Sequence, residues 1–285
     1  MSTCSTTIVR KCTTSATQGQ KWGRGGCFLS LFHVNYEKPG PGVKKDEPQK
    51  NAVVRFFSIF FRKFFQLVEL NLLFSIFVAA SFTVPFFAGK FVPDTFLSLF
   101  SVLLISPFLA GITFVTRNYA REEHAFIVSD FFDAVKQNWK AFLINGTVCY
   151  SLYFILSIAI RFYYKQLFNN ILYTIAFYMC IAVSFLLVSA QYYVPLMIVT
   201  FDLKLFQIYK NALIFAVLGL WRNLLLTVLL VAINFGLYIS QITPFSLVIA
   251  ILFAVTLLFS LVFFMINFVI YPLIDQMMIR PYQKR

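Results

Sequence analysis

Six apolar runs, at 66–87, 96–115, 141–160, 171–199, 221–240 and 244–272, dominate the chain after residue 52. Each reaches the ~20 residues an α-helix needs to cross a ~30 Å hydrocarbon core. Lipid offers the backbone no hydrogen-bond partner, so runs of this length must satisfy their own N–H and C=O groups as helices. The expected fold class is therefore all-α integral membrane, with six transmembrane helices. The fourth and sixth runs are long enough to tilt or to extend past the membrane. Of the 285 residues, 60% are apolar or aromatic and 12% are charged, against roughly 45–50% and 25% in soluble domains.

A net charge of +13 would suit a nucleic-acid binder if it formed a folded basic face. It lies between the apolar runs instead, so the expected partner is the lipid bilayer and not nucleic acid. Basic residues are retained on the cytoplasmic side of a membrane. The segment before the first run holds 11 Lys and Arg, the second-to-third loop 4 (Arg117, Arg121, Lys136, Lys140), the fourth-to-fifth loop 3 (Lys204, Lys210, Arg222) and the C-terminus 3 (Arg280, Lys284, Arg285). The alternate loops hold only Lys90, Arg161 and Lys165. Both termini are expected in the cytoplasm.

Residues 1–50 are polar and rich in Ser, Thr, Gly, Lys and Pro, and read as a disordered basic tail and linker ahead of a membrane domain at 51–285. The first 26 carry basic and hydroxyl side chains but no acid, as transit peptides do; without an amphipathic period they read as an extension. Cys4, Cys12 and Cys27 lie in the tail, Cys149 and Cys180 in apolar runs, and their spacing matches no zinc or redox motif, so free thiols are expected.

Ahead of the first, third and fifth spans, polar residues recur at helical spacing. Arg55, Ser58 and Arg62 stand against Phe56, Phe57, Phe60 and Phe61; Asp130, Asp133, Lys136 and Gln137 against Ile127, Phe131, Val135 and Trp139; Lys204, Gln207 and Asn211 against Leu205, Phe206, Ile208 and Tyr209. Such helices are expected along the cytoplasmic interface, apolar face in the acyl layer. An aromatic–basic pair then enters each span, Phe61-Arg62, Trp139-Lys140 and Trp221-Arg222, suited to anionic headgroups. Each return span carries a proline, Pro107, Pro195 or Pro272. Three hairpins related as repeats (53–117, 120–200 and 203–280), kinked near those prolines, are the expected architecture.

Asn35-Tyr36-Glu37-Lys38-Pro39-Gly40-Pro41-Gly42-Val43, Leu70-Asn71-Leu72-Leu73, and Pro107 with Gly111, Asp130-Phe131, Lys136, Asn138 and Trp139 resemble segments of the YesL-like membrane proteins of Gram-positive bacteria. The likeness runs over roughly residues 28 to 283 and departs at the outer end of the first span, where Pro85 lacks an adjoining Gly-Pro. Members of that family are short multi-span chains often encoded beside carbohydrate transporters and polysaccharide-degrading enzymes. The resemblance implies a context, sugar utilisation in a bacterial plasma membrane, and no biochemical activity.

No nucleophile elbow, phosphate loop or paired intramembrane carboxylate is present, and Glu122-Glu123-His124 lacks the further ligands a metal needs. No cofactor and no enzymatic activity are expected. Glu69 is expected to pair with Arg62 or Lys63, and Asn71, Asn145, Gln191, Asn234 and Asn267 to hydrogen-bond neighbouring helices. Two functions compete: an accessory protein contacting sugar-transporter components, or a small transporter or channel lined by the neutral amides and tyrosines. The candidate partner-contact or interfacial residues are Glu37, Lys38, Asp130, Phe131, Lys136, Asn138, Trp139, Trp221 and Arg222.

Overall fold

The computed structural model describes residues 51–88 and 94–280, and every regular element among them is helical. The first apolar run becomes α2 (Phe64–Ala88), set off from α1 (Ala52–Arg62) by Lys63 alone. The second is split into α3 (Asp94–Ile105) and α4 (Phe108–Ala120), bent by 47° across Ser106 and Pro107. Proline has no N–H for the preceding turn, and the joint closes through tighter bonds from Leu109 N to the Ser106 carbonyl and from Ala110 N to the Pro107 carbonyl, both 3.2 Å.

The further long elements among the described residues are α5 (Ile127–Lys165), α6 (Ile171–Thr200), α8 (Leu220–Ile239) and a long final segment, with the short α7 (Leu205–Leu218) before α8. The final segment runs from α9 (Pro244–Phe253) through a π-helical turn (Ala254–Leu258) into α10 (Phe259–Ile274) and a second π turn (Asp275–Ile279). Among the described residues five helical segments are long and apolar enough to cross a membrane, and the bent α3–α4 pair makes a sixth when taken as one. Ile155, Ile175, Val231 and Ile251 stand outward and exposed along these segments. Lipid is the solvent that such a surface fits.

The structure departs from the sequence expectation in three places. The amphipathic stretch before the third span is no separate helix, since α5 continues unbroken for 39 residues from Ile127 to Lys165. Nothing at Trp139-Lys140 interrupts an α-helical hydrogen-bond ladder. Of the three prolines only Pro107 divides a helix; α6 and α10 run on through Pro195 and Pro272, as membrane helices can when neighbours satisfy the freed carbonyl.

The apolar faces expected to lie in lipid are also partly engaged by protein. Ile59 of α1, Ile127, Phe131 and Ala134 of α5, and Ile208, Ala212 and Phe215 of α7 are buried, whereas Phe57, Phe61 and Phe206 are exposed. The tail and the outer turn after Pro85, where the family pattern is broken, lie outside the described residues.

The centre of the bundle is α4. From Ala110 to Ala120 only Phe114 escapes burial, because α2, α5, α6 and α10 all pack on it. Glycines let α5 come close: a Cβ on Gly111 would run into the Phe131 ring, and one on Gly146 into the Ser106 hydroxyl at the bend. Small residues at such crossings let membrane helices gain van der Waals contact.

Candidate functional site

Polar side chains inside the bundle act as joints between helices. Asn71 of α2 reaches the π turn, where the backbone ladder slips by one residue: its Nδ2 donates to the carbonyls of Ala254 (3.0 Å) and Val255 (2.6 Å), and its Oδ1 accepts from Ser260 N (2.9 Å). Asn267 of α10 donates to the Thr113 carbonyl and the Thr116 hydroxyl of α4. Asn145 of α5 donates to Gln191 Oε1 of α6 (3.3 Å) and accepts from the Tyr209 hydroxyl of α7 (3.0 Å). Asn223 accepts from the Tyr193 hydroxyl and donates to the Ala216 carbonyl, bracing the α7–α8 break. Asn234 departs from the expected role: it is exposed and bonds only its own helix, at the Leu230 carbonyl.

Charged groups gather at one end, where α4 terminates. Arg117, a loop charge by the sequence pattern, sits in the last turn of α4 with 7% of its surface exposed. Its Nη1 donates to the Val199 carbonyl (2.8 Å) and the Thr200 hydroxyl (3.2 Å) at the end of α6. Nε and Nη2 both donate to Asn118 Oδ1, and the guanidinium lies 4.4 Å from the Phe114 ring centroid. No carboxylate pairs with it among the described residues. The C-termini of α4 and α6 supply the compensating field, since each helix end carries about half a negative charge.

Beyond Arg117 the helix stops in a Schellman motif: Glu122 N bonds the Tyr119 carbonyl and Glu123 N the Asn118 carbonyl. The residue that must turn left-handed there is Glu122, at φ 61, where glycine is the usual occupant. Its carboxylate receives two arginines of α1, Arg55 Nε at 3.0 Å and Arg62 Nη2 at 2.8 Å. Those bonds, that from Arg62 foremost, hold the Glu122 carboxyl below the usual carboxylate range.

Around this latch Phe56 of α1 stacks on Phe264 and meets Phe268 edge-on. Arg121 pairs with Glu123 at 2.7 Å and lies over the Tyr271 ring, and Lys63 lies over Tyr119. Glu122 and Glu123 are thus both engaged in ion pairs. Glu69 does not pair as expected, because Arg62 is held by Glu122; among the described residues it makes no ion pair.

The residues singled out from sequence fall into separate roles. Asp130 caps the start of α5, accepting from Phe126 N at 2.9 Å. Phe131 is fully buried against α4 and stacks with Phe77, and Asn138 donates to the Ala134 carbonyl of its own helix. Lys136, Trp139, Trp221 and Arg222 are exposed, and Lys140 lies over the Trp139 ring. Among the described residues no hydrogen bond or ring contact joins the α5 set to Trp221 and Arg222. Glu37 and Lys38 lie outside the described residues.

Sequence reasoning passed over Arg117, Glu122 and Asn223 as sites. Arg117 and Glu122 carried no local signal of a role between helices, because their partners on other helices lie 60 to 83 residues away. Gly219, just after Leu218, was the available sign of the break that Asn223 braces.

Fold and polar architecture define an α-helical multi-span membrane protein. Within it, residues 67–160, from α2 through α5, match the family model described as a protein of unknown function, DUF624, the family also called YesL-like. The match covers less than half of the chain and includes α4, Glu122 and most of α5. No curated protein and no solved structure matches the chain.

Proposed function

We propose that this chain is an accessory or regulatory membrane subunit linked to carbohydrate uptake in a bacterial plasma membrane, with both termini cytoplasmic and no catalysis of its own. The observation that carries the reading is where the polar groups go. Asn71, Asn145, Asn223 and Asn267, which a permeation path would need, are buried and bonded between helices. The charges instead collect at one end, in a form suited to holding α1 and meeting partners. The sugar context rests on the family resemblance.

Mild detergent extraction after crosslinking, with a sugar permease co-expressed from the same host, tests it. Recovery of permease components with the full chain is expected. Crosslinked material free of any permease component, or solute flux through liposomes holding this chain alone, overturns the reading in favour of a small transporter.

A further inference from the structure

We propose that the outward face of α2 docks a transmembrane helix of a different protein, and that Glu69 recognises a lysine or arginine about two turns from that helix's inner end. The inference rests on the reading of the chain as a subunit that works through membrane partners. Phe65, Glu69, Leu72, Ile76, Ala79 and Thr83 recur at spacings that place them on one face of α2, and all are exposed. The opposite face, with Leu67, Leu70, Asn71 and Phe74, is buried. Glu69 is therefore the one charge on an otherwise apolar or small-residue stripe of a membrane-spanning helix.

Depth makes that charge unusual. Glu69 lies six residues beyond Lys63, about 9 Å further along the axis at 1.5 Å per residue. The headgroup layer on each side of a bilayer is only about 5–7 Å deep. With Lys63 among the phosphates, the Glu69 carboxylate reaches the edge of the hydrocarbon. Ionisable groups in membrane helices face a partner or a polar cavity as a rule, yet the nearby cations are occupied: Arg62 by Glu122 at 2.8 Å, and Lys63 over the Tyr119 ring.

Charge complementarity fixes the occupant. A second copy of this chain, inserted with the same orientation and meeting face to face, sets Glu69 against Glu69, so a like-charge clash opposes self-association. A basic residue on another protein's helix converts the same carboxylate into an ion pair out of water. Toward the outer end, Ala79 and Thr83 stand four residues apart, the small-residue spacing that lets two helices approach closely.

The test uses the full chain, fluorescently labelled, in phosphatidylcholine liposomes. Its probe is an acceptor-labelled Leu/Ala transmembrane peptide of about 23 residues with one lysine two turns from its inner end, or leucine at that position. Energy transfer is expected to show the lysine peptide binding roughly three- to thirtyfold more tightly than the leucine peptide. Glu69→Gln and Glu69→Leu should abolish that preference, and Glu69→Lys should transfer it to a peptide bearing glutamate.

Equal binding of the two peptides to the unaltered chain, or a preference that survives Glu69→Leu, overturns the proposal. So does Glu69-dependent energy transfer between two labelled copies without peptide, which assigns the face to self-association. Loss of permease recovery with the lysine preference intact counts only against the carbohydrate reading, and the converse result only against this one.

Discussion

Glu122 offers a way to separate backbone strain from side-chain function at a single position. A left-handed residue with a Cβ costs about 1–2 kcal/mol relative to glycine, so Glu122→Gly relieves that much at φ 61. The same substitution removes two ion pairs whose partners are about half exposed, 48% for Arg55 and 53% for Arg62. Pairs of that exposure contribute about 0.2–1 kcal/mol each, or about 0.4–2 kcal/mol for the latch. Global stability of Glu122→Gly should therefore fall within about 1–2 kcal/mol of the unaltered chain. Glu122→Ala loses the pairs and keeps the strain, and should be the less stable of the two by about 1 kcal/mol.

The two variants should nonetheless behave alike at α1. Hydrogen exchange of the α1 amides in nanodiscs reports its local opening, and both substitutions should speed it roughly two- to thirtyfold. Acid should mimic them. Because Arg62 and Arg55 depress the folded-state carboxyl, the latch is at full strength above the ordinary carboxylate value of about 4.3. It is lost as pH falls through the lower folded-state value. Unchanged α1 exchange in Glu122→Gly would mean that Phe56 and Ile59 alone hold the helix, and the latch argument fails.

Gly111→Ala forces a methyl into the Phe131 ring and should lower stability in a mixed-micelle SDS titration by about 1–3 kcal/mol, with recovery when Phe131→Leu is added. Asn71→Leu strands the Ala254 carbonyl and Ser260 N and leaves the Val255 carbonyl with the Ser75 hydroxyl alone, for an expected loss of about 1–3 kcal/mol by the same titration; no loss would show that the π turn satisfies itself. Arg117→Gln should destabilise by at least about 1.5 kcal/mol, whereas Glu69→Gln should leave unfolding unchanged, a contrast that equal losses would refute. Tail thiols Cys4, Cys12 and Cys27 should react with an impermeant maleimide in inside-out vesicles and resist it in right-side-out ones.

Much of the fold was legible because bilayer thickness imposes a length that apolar runs reveal directly. The run at 171–199 and the helix Ile171–Thr200 nearly coincide, and the bend at Pro107 follows from proline's missing donor. What escaped were features set by distant packing. The polar stripe from Asp130 to Gln137 looked like a surface helix, yet it is the lower part of α5, whose other side is Phe131 against Gly111. The π turn spans Ala254 to Leu258, with neither glycine nor proline to announce it, and its partner Asn71 lies more than 180 residues earlier. The role of Glu122 is hidden in the sequence because neither the Schellman turn nor its two arginines can be seen in neighbouring residues.

Two charges near the same end of the bundle, Arg117 and Glu69, lack an ion pair among the described residues and have opposite explanations. Arg117 is inside, and its neutral acceptors are the ends of α4 and α6 together with Asn118 and Thr200. Two helix C-termini amount to roughly one negative charge, and together with the Glu123 carboxylate beyond ion-pair distance they offset part of the cost of burying a guanidinium that ties the two helices. Glu69 has no such arrangement. It lies in the second turn of α2, where a carboxylate does benefit somewhat from the helix N-terminus, but it faces outward among Phe65, Leu72 and Ile76. Among the described residues folding has given the buried cation its acceptors and left the exposed anion without an ion pair. In a water-soluble protein that difference would mean little, because solvent would complete the shell of any exposed carboxylate. On the face of a membrane helix solvent does not complete that shell, which is the reason the proposed docking places a cation of another protein's helix there.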